Sequence, residues 1–324
     1  MFFKKLVFIS FTLFTLLACS EKKDMSVGII QTSDHEALDS ARLGVIKALE
    51  NQGFTANNTC IIKWESAQGN AATASQIAQK FVGKSYDVIV TIGTLASQSA
   101  LQVTQQTAQN GSINVPIIYT SVTDPKNAKL QGNISGVNDF IAPKVQFETF
   151  KAVLPGLQKI GIIYSAGEQN SIVLNEAMKK EASNFGITLV FANATKTSDV
   201  YGAAMSLVGK VDALFVNNDN IALAAFDAIL KVGREHKIPV FVSDTELVEK
   251  GALAAVGADQ FAIGLKAGEM VGSLLKRDAD KRTAATIPAT GPDKPELYLN
   301  KKTADTLGIP LSAAILKKAA KVYE

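Results

Sequence analysis

Lys159-Ile160-Gly161-Ile162-Ile163-Tyr164 decides how the chain is read, because at mid-chain it restarts a rhythm begun by Ser26-Val27-Gly28-Ile29-Ile30. Both are short apolar, β-branched runs of strand length. From the first, the chain continues through Cys60 to Trp64, Asp87-Val88-Ile89-Val90-Thr91 and Val115-Pro116-Ile117-Ile118-Tyr119, with helical periodicity at about 35–52, 70–82 and 94–108. From the second it runs through Ile187 to Phe191, Val211 to Val216, Ile238 to Val242 and Ala252 to Val256, with helices near 168–185, 198–208 and 220–235. Strands alternating with helices are the signature of βαβ units on a parallel sheet. Two such units of about 115 residues each predict an α/β protein of two doubly wound parallel-sheet lobes.

The connections predict a multi-strand hinge. Gly132-Asn133-Ile134-Ser135-Gly136-Val137-Asn138 has the turn chemistry of a crossover, followed by a helix from Pro143, and a second crossover falls near Gly257-Ala258-Asp259. The helical stretch Phe261 to Leu275 then returns to the first lobe and Glu296-Leu297-Tyr298-Leu299 to the second. Lobe 1 is thus expected over 26–139 plus 259–277 and lobe 2 over 140–258 plus 295–324. Residues 278–294 read as a surface connection and 311–323 as an Ala/Lys helix. Repeated crossovers between equal lobes are the plan of a hinged clamp.

The N-terminus carries a different message. Lys4 and Lys5, the apolar run Leu6 to Leu17 and then Ala18-Cys19 form a bacterial lipoprotein signal, with cleavage after 18, lipid on Cys19 and a tether over 19–25. An apolar run of about a dozen residues is too short to span a bilayer, which takes roughly 20. The expected location is extracytoplasmic, anchored to a bacterial membrane. Loss of the two lysines lowers the formal charge from +3 to +1, so nothing marks a nucleic-acid partner. With Cys19 lipidated, Cys60 has no partner for a disulfide and reads as a buried strand residue.

In open parallel sheets, ligands bind beyond the carboxyl ends of the strands. Here those ends carry Gln31-Thr32-Ser33-Asp34-His35-Glu36, Gly93-Thr94, Thr120-Ser121-Val122-Thr123-Asp124, Ser165 through Ser171, Asn217-Asn218-Asp219-Asn220 and Ser243-Asp244-Thr245. Most open helices, where unpaired N–H groups favour an anion. Taken singly, such residues are also ordinary caps and turn formers. None of the four arginines, Arg42, Arg234, Arg277 and Arg282, lies in these loops. A ligand carboxylate would therefore be held by hydroxyls and N–H groups, and an ammonium by Asp124, Asp219 or Asp244, which suits an amino-acid zwitterion. HExxH, GxSxG, GxGxxG and Cys/His clusters are all missing, so no enzyme, metal or cofactor is expected. His35 reads as a cleft-lining helix start, while Trp64 and Tyr119 read as core residues.

Several segments together resemble a family. Val27-Gly28-Ile29-Ile30-Gln31 with His35-Glu36-Ala37-Leu38-Asp39, Ala67-Gln68-Gly69-Asn70, Val122-Thr123-Asp124-Pro125, Asn133 to Val137, Ile163-Tyr164-Ser165 through Glu168-Gln169-Asn170-Ser171, Asp219-Asn220 and Gly251-Ala252-Leu253-Ala254 resemble the tryptophan/tyrosine-type substrate-binding lipoproteins of bacterial ABC importers. The resemblance runs in order along nearly the whole mature chain. It implies a type I periplasmic-binding fold, an aromatic amino acid as ligand, and an ABC permease with its ATPase as partners of a monomeric receptor. The ligand residues it implies are Thr94, Ser121, Thr123 and Asp124 from lobe 1, and Glu168, Asn170, Ser171, Asp219 and Asp244 from lobe 2. Two positions depart from the pattern: Glu36 replaces a proline, and Gln260 stands where an aromatic residue is common. A sugar, purine or nucleoside receptor on the same fold, and a sensory module, stay open at this point.

Overall fold

The computed structural model describes residues 25–56, 58–111 and 113–324. The signal segment and Cys19 lie outside the described residues. The first half builds β1 (Met25–Gln31), α1 (Glu36–Asn51), β2 (Cys60–Ser66), α2 (Ala71–Gly83), β3 (Val88–Ile92), α3 (Thr94–Gln109), β4 (Ile117–Val122) and β5 (Ile134–Asn138). These strands form an all-parallel sheet in the order β2-β1-β3-β4-β5. The second half supplies α4 (Pro143–Val153), β6 (Lys159–Tyr164), α5 (Gln169–Ala182), β7 (Thr188–Asn193), α6 (Val200–Met205), β8 (Ala213–Val216), α7 (Asn220–Ala224), α8 (Phe226–His236), β9 (Val240–Val242) and β10 (Ala254–Gly257). After α9 (Gln260–Leu275) come β11 (Glu296–Asn300), α10 (Lys301–Leu307), α11 (Ala313–Lys318) and β12 (Lys321–Tyr323). The second sheet runs β12-β11-β10-β9-β8-β6-β7, parallel except where β11 lies antiparallel to β10.

Every residue of β3, β4 and β8 is buried, as parallel strands covered on both faces must be. In the first lobe, α1 and α9 cover one face of the sheet and α2 and α3 the other. The two covering helices α1 and α9 meet almost backbone to backbone: a Cβ on Gly264 would overlap the Ala41 carbonyl, and one on Gly44 the Phe261 carbonyl. In the second lobe, α4 inserts Phe150 between Phe241 and Phe215, with ring centroids 4.4 and 4.9 Å away. Five helices start where a side chain satisfies one of their first N–H groups: Asn70 caps α2, Asp219 α7, Asp259 α9, Asn300 α10 and Ser312 α11.

Four readings of the sequence change. Residues 134–138 are an edge strand, and the chain leaves the first lobe only after it, at Asp139. The C-terminal segment is helical only over Ala313–Lys318 and ends as β12, because Val322 and Tyr323 pair with Leu299 and Asn300. Trp64 is 47 % exposed at the outer edge of β2, where its indole face meets the Arg42 guanidinium at 3.8 Å. The helix expected over 220–235 is broken at Ala225 into α7 and α8. Tyr119 and Cys60 are buried as expected. The segment before β11 is tied to the first lobe: the Ser135 hydroxyl donates to the Ile287 carbonyl at 2.7 Å, and the Asn138 N–H to the Thr290 carbonyl at 2.9 Å.

Candidate functional site

The carboxyl ends of both sheets face one cleft. Its outer part is a chamber of about 650 Å³ between the first turns of α3 and α5 and the Thr195-Lys196-Thr197 turn. Thr94, Asn170 and Asn220 line both this chamber and a deeper one beside the hinge. The inner chamber measures about 20 Å³, room for one water, and is lined by His35, Leu38, Ser121, Thr123, Asp139, Leu223, Asp244 and Gln260 among others. Both lobes supply its walls, so its volume is set by how far the lobes are drawn together.

They are drawn together by contacts at the rim. His35 Nε2 lies 3.2 Å from Asn220 Oδ1, and Asn218 Nδ2 donates to Asp139 Oδ2 at 2.8 Å. Gln169 donates to the Asn127 carbonyl at 2.5 Å and accepts from Gln98. Lys250 pairs with Glu36, the residue that departs from the family's proline. Gln260, the other departure, accepts the Ser121 hydroxyl proton at 2.8 Å and puts an amide on the inner wall.

The inner chamber is rich in buried acid and poor in base. Asp244 is 2 % exposed and, among the described residues, its Oδ2 has no hydrogen bond. Burial drives its carboxyl well above the ordinary range, and the neighbouring Glu246, Asp139 and Glu36 charges push the same way. Asp139 is 5 % exposed; its Oδ2 holds Asn218, while Oδ1, beside Thr123 and Gln260, lacks a hydrogen bond of good geometry. Burial pushes this carboxyl up to about 6. Among the described residues, no lysine or arginine lines the chamber. The lining also holds the Thr94, Ser121 and Thr123 hydroxyls and the start of α3, whose N-cap, Gly93, offers no side chain, although the Thr32 hydroxyl accepts the Ala96 N–H at 3.2 Å. Gly93 has φ +92°, and a Cβ there would sit 2.5 Å from the Thr32 hydroxyl, so glycine is required.

The residues singled out from sequence divide into two groups. Thr94, Ser121, Thr123, Asn170 and Asp244 meet at the inner chamber. The other four are not in its lining. Asp124 is committed to its own turn, accepting the Asn127 N–H at 2.9 Å and its amide at 2.6 Å. Asp219 caps α7 through the Ala222 N–H and takes the Ser165 N–H at 2.5 Å. Ser171 is buried in the first turn of α5, outside the lining of either chamber. Glu168 lines the outer chamber but is saturated by the Asn220 and Ile221 N–H groups, both at 3.0 Å, and by the Asn170 and Asn220 amides. Burial and the nearby Asp219 raise the Glu168 carboxyl. Asp139, His35 and Gln260 belong to the chamber and were not singled out as ligand contacts. Asp139 directly follows the Gly136-Val137-Asn138 turn signal, and a polar residue at a strand's carboxyl end was the available clue.

Two parallel-dominated sheets with facing carboxyl ends, joined by several crossings around a polar cleft, define a periplasmic-binding protein of the type I fold. The family model described as ABC transporter substrate binding protein matches residues 26–323, and the chain belongs to that family. A tyrosine-binding protein from Clostridioides difficile (strain R20291) is 34 % identical over 304 residues, covering 91 % of this chain and 85 % of that protein. The crystal structure of an ABC domain in complex with L-Trp from Streptococcus pneumonia is 28 % identical, covers 92 % of this chain and 99 % of its own, and superposes with a TM-score of 0.84. The ligand-free, open structure of a substrate-binding protein with adhesive properties from Clostridium difficile is 32 % identical over 92 % of this chain and 99 % of its own, yet its TM-score is 0.66. The chain thus superposes better on the L-Trp complex than on the open structure, although the latter is more similar in sequence. Proteins of this family are solute receptors rather than enzymes, working with ABC transporters outside the cytoplasm.

Proposed function

We propose that this chain is the lipid-anchored receptor of an ABC importer, carrying lipid on Cys19 and closing its lobes over an aromatic amino acid. The observation that carries the ligand reading is Asp244, a buried carboxylate with an unpaired oxygen in a chamber whose described lining offers no cation. A ligand ammonium between Asp244 and Asp139 would supply that charge. The Thr94 hydroxyl and the N–H groups in the first turn of α3 other than that of Ala96, which Thr32 accepts, would take the ligand carboxylate, while Ser121 is spent on Gln260 and Thr123 lies beside Asp139. Asn170 contributes from the opposing lobe; Glu168, Ser171, Asp219 and Asp124 act in building the walls and turns rather than on the ligand. The domain limits drawn from sequence, lobe 1 over 26–139 plus 259–277 and lobe 2 over 140–258 plus 295–324, describe the two halves of this clamp.

Contacts from both lobes exist together only when the lobes are closed. The ligand therefore shifts the hinge equilibrium by its differential affinity, and the closed form is what a permease would recognise. Among the described residues, no Phe, Tyr or Trp lines the inner chamber, which disfavours a sugar held by ring stacking. Calorimetric titration with the twenty amino acids, common sugars and nucleosides tests the reading. Binding of Trp, Tyr or Phe that is lost in Asp244→Asn supports it; a sugar or nucleoside as the tight ligand overturns it.

A further inference from the structure

A hydrogen-bond relay crosses the cleft and ends on the inner chamber. It begins at Glu168, whose two oxygens accept the backbone N–H groups of Asn220 and Ile221, both at 3.0 Å. The Asn220 side-chain amide nitrogen also faces Glu168, donating to it at 2.5 Å. The Asn220 oxygen is then turned to the other lobe, where it meets His35 Nε2 at 3.2 Å. An oxygen accepts only, so Nε2 carries the proton. In a neutral imidazole the lone pair is then on Nδ1.

His35 is held neutral by its surroundings. Burial pushes it below its usual range, against the opposing pull of Asn220, Glu36, Asp39 and Asp34. The residue is 7 % exposed, lines the inner chamber and, among the described residues, makes no hydrogen bond through Nδ1; as N-cap of α1 its side chain caps no N–H. The chamber lining around it also includes the apolar side chains of Ala37, Leu38 and Leu223.

We infer that His35 is a specificity-determining residue: its Nδ1 accepts a hydrogen bond from the ligand's side chain, selecting a phenol O–H or an indole N–H over an unsubstituted ring. This rests on the amino-acid reading and deepens it. A ligand lacking the donor leaves a buried acceptor unsatisfied, which costs about 5- to 150-fold in affinity.

The test uses the full-length protein in mild detergent, titrated calorimetrically with Tyr, Trp and Phe, alongside His35→Leu. At least one of Tyr and Trp should bind about 5- to 150-fold more tightly than Phe, and the gap should close to within about 2-fold in His35→Leu, on top of any common weakening from loss of the His35–Asn220 contact between the lobes. A wild-type protein that binds Phe as tightly as both others, or a preference that survives in His35→Leu, overturns the inference and leaves the receptor reading intact. If no aromatic amino acid binds the wild type, the receptor reading itself falls and takes the inference with it. Should His35→Leu fail to fold, two-bond ¹H–¹⁵N correlation of the wild-type imidazole decides: an unprotonated Nδ1 supports the relay, and a proton on Nδ1 refutes it.

Discussion

Replacing Asp139 by asparagine should move affinity and stability in opposite directions. Burial raises this carboxyl from 3.8 to about 6. At about 1.4 kcal/mol per unit, ionising it inside the ligand-free protein costs about 3 kcal/mol at pH 7. The sign follows from proton counting. Between 3.8 and about 6 the native state binds more protons than the unfolded one, so this group's penalty grows as pH rises through that window and vanishes below it. It should stand at about half its full size at pH 5. A neutral amide carries no such penalty, so Asp139→Asn should gain up to about 3 kcal/mol of ligand-free stability at pH 7, and distinctly less at pH 5. Affinity should fall, because the ligand ammonium loses a buried partner, a change worth about 2–5 kcal/mol in binding free energy. Urea unfolding at pH 7 and pH 5 reads the first effect and calorimetric titration the second. A variant that binds unchanged, or that is destabilised at pH 7, refutes the assignment of Asp139 as an uncompensated ligand-facing charge.

Other outcomes test separate parts of the structure. Phe150→Ala should cost about 3–5 kcal/mol in urea unfolding, since the ring is fully buried between Phe215 and Phe241; a loss below about 1 kcal/mol would contradict that packing. Gly93→Ala should destabilise by more than about 1 kcal/mol and weaken ligand binding, because φ is +92° and Thr32 occupies the space a Cβ needs. Gln169→Ala combined with Lys250→Ala removes rim contacts outside the inner chamber. Small-angle scattering of the ligand-free double variant should show a larger radius of gyration than wild type, with ligand release accelerated severalfold; identical scattering and kinetics would mean the rim does not hold the lobes. Cys19→Ser should leave the protein in the aqueous phase of a detergent partition while the wild type enters the detergent phase, and equal partitioning would remove the proposed lipid anchor.

Much of the architecture was legible because periodicity is a local property. A run such as Asp87-Val88-Ile89-Val90-Thr91 is apolar on both faces and too short for a buried helix, so it reads as a covered parallel strand in isolation, and its middle proved fully buried. The restart at Lys159 likewise announced a second sheet. Loops at the strand ends could be found for the same reason, and Thr94, Ser121, Thr123, Asn170 and Asp244 met at the inner chamber. The three-residue strand β12 and the exposure of Trp64 were not legible, because each depends on a neighbour distant in sequence: β11 in one case, Arg42 on α1 in the other.

What the amino-acid order by itself determined is which segments form strands and helices, and therefore which polar loops gather at the strand ends. What only the tertiary structure decided is how each polar group in those loops spends its hydrogen bonds. Asp124, Asp219 and Asp139 are equivalent as aspartates beside strand ends. Asp124 turns both oxygens onto Asn127, Asp219 caps α7, and Asp139 is left with an oxygen beside the chamber that lacks a well-formed bond. A carboxylate's role is set by which donors surround it in space, and those donors come from chain segments whose meeting no local pattern records.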